Sequence, residues 1–85
     1  MINIIIRTFS SDLRTINIIL ENNESFTHFF EKIYERLNLT PEKYYFVYNS
    51  KPLHYNNLIN FNIFDIFGNT DLVFLHMYPR LKHFK

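Results

Sequence analysis

At 85 residues the chain is long enough for one domain, and a domain of that size buries only about 60–65% of its unfolded surface, so its core must be small and well packed. Hydrophobic residues make up 47% and aromatics 19%, with Phe 10 and Tyr 6, which excludes intrinsic disorder. Nine basic residues against eight acidic ones give +1, so no long-range field selects nucleic acid or an anionic membrane, and with Cys 0 there is neither a disulfide framework nor a thiolate zinc site.

Residues 2–7, INIIIR, are β-branched and too short for a helix, and their alternation turns Ile2, Ile4 and Ile6 inward and Asn3, Ile5 and Arg7 outward. Ser10, Ser11 and Asp12 are turn formers. Thr15 to Glu21 resume the alternation with Ile16, Ile18 and Leu20 on one side and Asn17, Ile19 and Glu21 on the other, which completes a hairpin. The one clear amphipathic helix is Ser25 to Leu39, because Phe26, Phe29, Phe30, Ile33 and Leu37 hold one face of a 3.6-residue period. Ser25 is its expected N-cap, Asn38 its expected left-handed C′ residue, and Pro41 prevents its resumption.

YYFVY at 44–48 reads as a third strand and Asn49, Ser50, Lys51 and Pro52 as a turn, with a brief fourth strand expected over Leu53 to Tyr55. Leu58, Phe61 and Ile63 punctuate an irregular, 3₁₀-like stretch. Gly68 to Asp71 is the last turn signal, and LVFLHMY at 72–78 is the final strand, ended by Pro79. The order predicts an α+β roll in which one main helix lies across a mixed sheet. The domain is expected over residues 1–78, with 79–85 a short basic C-terminal tail.

The helix exit LNLTPEK, the segment FVYNSKPL at 46–53 and LINFNI at 58–63 resemble the ubiquitin-like family, whose archetype has LIFAGKQL and LSDYNI at the second and third of these places. The resemblance runs over nearly the whole chain and implies the β-grasp fold. It implies core positions at Ile4, Ile6, Ile16, Ile18, Leu20, Phe26, Phe29, Ile33, Phe46, Leu53, Leu58, Ile63, Leu72 and Phe74, all of them apolar. Conjugated members end in Gly-Gly beyond the last strand, whereas this chain has MYPRLKHFK, so the resemblance implies a non-conjugated member. Phe64 to Gly68 reads as an insertion whose Phe64, Ile66 and Phe67 either extend the core or offer a second contact point.

The family binds proteins through apolar residues on the sheet face away from the helix. The matching positions are Val47, Leu75 and Phe9, with Lys51 beside them. The strand alternation gives the same expectation: Phe46 and Phe74 point to the helix, so Val47, Val73, Leu75 and Met77 point away and join Ile5 and Ile19 in an outer apolar stripe. Tyr45, Val73 and Met77 replace basic or histidine positions of the archetype, which makes that rim greasier. Ordinary half-exposed β-formers are the competing explanation for any one of these residues.

The four histidines, His28, His54, His76 and His83, share no metal-binding spacing, and neither a nucleotide loop nor a nucleophile elbow is present. The expectation is therefore a non-enzymatic protein-binding module without cofactor or metal, without nucleic-acid or membrane partners, in the cytoplasm or nucleus. Its alternatives are an adaptor or structural subunit of spliceosomal or complex-assembly type that docks through another surface, and a weak self-associating homodimer.

Overall fold

The computed structural model describes residues 1–9 and 14–80, so the expected turn at Ser10 to Asp12 and the tail from residue 81 lie outside the described residues. The chain forms a small α+β domain with a five-stranded mixed sheet in the order β2-β1-β5-β3-β4. Strands β1 (Ile2–Arg7) and β2 (Thr15–Leu20) pair antiparallel, and β5 (Leu72–Pro79) lies parallel to β1 in the middle of the sheet. On the other side of β5, β3 (Tyr44–Tyr48) runs antiparallel and carries β4 (Lys51–Leu53) at the edge.

Helix α1 (Phe26–Leu37) supplies the inner layer. Its bounds follow from its end residues. The Ser25 hydroxyl accepts a hydrogen bond from the His28 amide at 3.2 Å, and Asn38 adopts φ 58° while its amide donates to the Tyr34 carbonyl at 2.8 Å. Phe26, Phe29, Phe30 and Ile33 are buried against the sheet, as the helical period predicts. A 3₁₀ turn at Pro41–Lys43 then leads directly into β3.

The core joins Ile2, Ile4 and Ile6 of β1 and Ile16, Ile18 and Leu20 of β2 to the helix phenylalanines and to Tyr44 and Phe46 of β3. Phe26 and Phe29 meet edge to face with ring centroids 5.7 Å apart, and Phe29 lies 5.6 Å from Phe46. Such tilted contacts add to the area that the rings remove from water.

The β3–β4 loop is tighter than the sequence suggests. Tyr48 pairs with Lys51, so only Asn49 and Ser50 make the turn, at φ 51° and 68°, the two positive values of a type I′ hairpin. The fourth strand is consequently Lys51–Leu53, not Leu53 to Tyr55, and Tyr55 opens a helical turn, α2 (Tyr55–Leu58). The stretch expected to be irregular continues into α3 (Ile63–Phe67), where Asn62 and Asp65 each accept from the other's amide at 3.0 Å. Ile63 and Phe67 enter the core, Ile66 packs against it, and Phe64 stays exposed, so the insertion serves mainly as core. The sheet also runs further than expected: Pro79 pairs with Tyr44, and the Arg80 amide donates to the Lys43 carbonyl at 2.9 Å.

Candidate functional site

The face of the sheet turned away from α1 is built by the odd-numbered residues of β1, β2 and β3 and the even-numbered residues of β5. On β1 these are Asn3, Ile5 and Arg7, and on β2 Thr15, Asn17 and Ile19. The last strand corrects the expected phase. Val73, Leu75 and Met77 are buried in the core, whereas Leu72, Phe74, His76 and Tyr78 are exposed.

Register is the cause. Paired residues of adjacent strands share a face, and β5 sets Val73 beside Ile4, Leu75 beside Ile6 and Met77 beside Phe46, all of them inward. The opposite phase would bury the His76 imidazole and the Tyr78 hydroxyl, at a cost the aliphatic set avoids. Three of the expected contact residues, Val73, Leu75 and Met77, are thus core, and two expected core residues, Leu72 and Phe74, are surface. Leu53 is only partly buried.

The other expected contact residues do lie where a partner could reach them. Ile5, Tyr45 and Val47 are half-buried on the outer face and Lys51 is exposed at the start of β4. Phe9 is exposed just past the end of β1. Ile5 pairs with Phe74, which is 60% exposed, while Ile19 and Leu72 flank Asn3 from its two sides. Val47 lies between His76 and Pro52, in a row that Arg7 continues beyond His76. The apolar centre of the face is the Ile5–Phe74 pair with Leu72 beside it, and Ile19 and Val47 lie diagonally across Asn3 and His76 on the flanking strands.

One end of the surface is aromatic. Tyr45 stacks on Tyr78 at 5.8 Å and on His54 at 4.8 Å between ring centroids, which fixes three side chains in one ladder. Beside Phe74, a shallow depression of about 220 Å³ is lined by Ile5, Arg7, Thr15, Phe74, Leu75 and His76. A cation and an imidazole therefore border the apolar centre. The residues the sequence reading missed, Phe74, His76 and Tyr78, carried a signal: His76 and Tyr78 share the phase of Phe74, and a strand turns its polar members outward.

Among the described residues no three His, Cys, Asp or Glu side chains converge as a metal site requires, and no helix is long and apolar enough to cross a membrane. The geometry is that of a small α+β domain with one covered and one open sheet face. No family model matches this chain, and no curated protein matches it.

Proposed function

We propose that the chain is a non-conjugated, ubiquitin-like β-grasp module, without catalytic activity, that binds a protein partner through the open face of its sheet. The strand order, the parallel contact of β1 with β5 and a helix entered straight from the first hairpin support the fold reading, together with the resemblance of LNLTPEK and FVYNSKPL to that family. The observation that carries the functional reading is the direct pair of Ile5 and Phe74 on that face, with Leu72 two residues along β5 and Ile19 and Val47 set diagonally on the neighbouring strands. Grouping matters more than hydrophobicity, because single exposed aliphatics are common, whereas the main apolar patch of a small domain is often its binding surface.

The size of the face limits the strength of binding. Four strands about 4.8 Å apart and six residues of β5 at about 3.3 Å each give a contact of roughly 14 by 20 Å. That is about 280 Å² on each partner, below the roughly 1,000 Å² in total of a stable interface, so this face alone supports only weak, transient binding and a partner that binds tightly must touch more of the domain. Arg7 and His76 at the border favour an acidic rim on the partner.

Photo-cross-linking in cells tests this reading, with p-benzoylphenylalanine in place of Phe74. A discrete protein adduct is expected that disappears when Val47→Arg is added and does not form when the cross-linker replaces Glu21. If position 74 gives no adduct above that control, the outer face is not the binding surface.

A further inference from the structure

A second surface lies on the helix side of the domain, apart from the open sheet face. An open groove of about 410 Å³ runs between α1, the 3₁₀ turn and α2, bounded by Glu31, Tyr34 and Glu35 on the helix and by Thr40 across from them. Its floor is apolar: Tyr55 meets Phe30 edge to face at 5.1 Å, with Pro41 and Ile59 completing it. Tyr34, half exposed, forms a wall.

The rim has one sign of charge. Glu31 and Glu35 are one helical turn apart on the same side of α1, and among the described residues neither is in an ion pair. The helix's own cations lie on its other flank, where Lys32 and Arg36 line a separate depression with Asn17, Ile18 and Ile19. Arg36 is held there, because its guanidinium donates to the Asn17 carbonyl at 2.8 Å. Glu35 stands on the crest between the two depressions.

We infer that this groove docks a short cationic, amphipathic peptide segment of a partner protein, which inserts a large apolar side chain over Phe30 and Ile59 and sets a lysine or arginine against Glu31 and Glu35. An apolar floor selects the anchor, and the acidic rim selects the sign of its neighbours. The charge complementarity distinguishes this occupant from that of the sheet face, whose border is basic.

The test is a titration of the ¹⁵N-labelled chain with three acetylated, amidated hexapeptides: Lys-Leu-Lys-Lys-Phe-Lys, its analogue with alanine for Leu and Phe, and its analogue with glutamate for every lysine. The first should shift the amides of Glu31, Tyr34, Thr40 and Ile59 with a dissociation constant of about a millimolar or lower. It should bind about fivefold more weakly to the chain carrying Glu31→Gln and Glu35→Gln, and more weakly still in high salt. Glutamine keeps the helix propensity, so that variant retains α1, and unchanged sheet amides confirm it. The proposal is overturned if the alanine or glutamate peptide binds as well as the first, if the shifts fall on Val47 and Phe74 instead, or if no peptide binds at about 5 mM.

Discussion

Adjacent residues of the central strand have opposite fates, and alanine substitution separates them. Leu75 is 1% exposed, pairs with Ile6 of β1 and packs into the core beneath α1, whereas Phe74 is 60% exposed and contacts chiefly its cross-strand neighbours. Leu75→Ala removes buried methyl groups and leaves a cavity that a sheet held on both sides of β5 closes poorly, which costs about 3 kcal/mol. A domain of this size has about 4–13 kcal/mol of stability in total, so the loss lowers Tm by about 12–24 °C. Phe74→Ala deletes the larger side chain but forfeits only a cross-strand contact with Ile5, about 1 kcal/mol or less. Urea unfolding followed by far-ultraviolet circular dichroism measures both, with an unchanged m-value confirming that the same transition is compared. If Phe74→Ala costs as much as Leu75→Ala, the strand has the opposite phase and the surface described for it does not exist.

Tyr44→Phe should leave the chain as stable or more stable by about 1 kcal/mol, since the Tyr44 hydroxyl is buried without a hydrogen-bond partner among the described residues. Burial, and secondarily the charge of Glu42, push this phenol well above its ordinary value of 10.0 in the folded chain. The unfolded chain releases the proton first, so above about pH 10 it holds fewer protons and stability falls as pH rises, by at most about 1.4 kcal/mol per pH unit. Denaturation from pH 8 to 11 should show a smaller loss in the phenylalanine variant; parallel curves would contradict the burial argument. At the backbone, Gly68→Ala should cost about 1–3 kcal/mol although no atom lies within 4 Å of the new Cβ, because φ 74° with ψ −159° is open only to glycine. Ser50→Gly should stabilise by about 0.5 kcal/mol, because the second residue of a type I′ turn favours glycine. Thermal melts of the two variants shifting in opposite directions would bear out both assignments.

Much of the fold is legible in the sequence where one phase of a pattern is polar and the other is not. In α1 the face opposite Phe26, Phe29, Phe30 and Ile33 carries His28, Glu31 and Glu35, so only one orientation fits. In β1 and β2, Asn3, Arg7 and Asn17 fix the outward side. The last strand offers no such contrast at its start, since Leu72, Val73, Phe74 and Leu75 are all apolar, and periodicity alone leaves two phases open. A phase that turns Phe74 inward also buries the His76 imidazole, and that polar residue is what distinguishes the two. The two-residue β3–β4 loop was equally hard to read, because Asn49 and Ser50 resemble the opening of a longer turn, and only the pairing of Tyr48 with Lys51 sets its length. The groove beside α1 had no sequence signal, because its walls come from three elements that only the fold brings together.

The distribution of aromatic residues argues that the open face answers to something other than stability. One helix over five short strands encloses little volume, and Phe26, Phe29, Phe30, Tyr44, Phe46 and Phe67 already fill it ring against ring. Outside that volume a strand gains nearly as much from threonine as from phenylalanine or isoleucine, because what β-formers share is a fit to the pleated surface. The outer face uses that freedom at Asn3, Arg7, Thr15 and Asn17, but pairs Ile5 directly with Phe74 and sets Leu72 and Ile19 diagonally beside that pair across three adjacent strands. Such an apolar set exposes the chain to aggregation, and polar substitutions there would lessen the risk at little cost to folding. Its retention is therefore better explained by a surface that another protein covers.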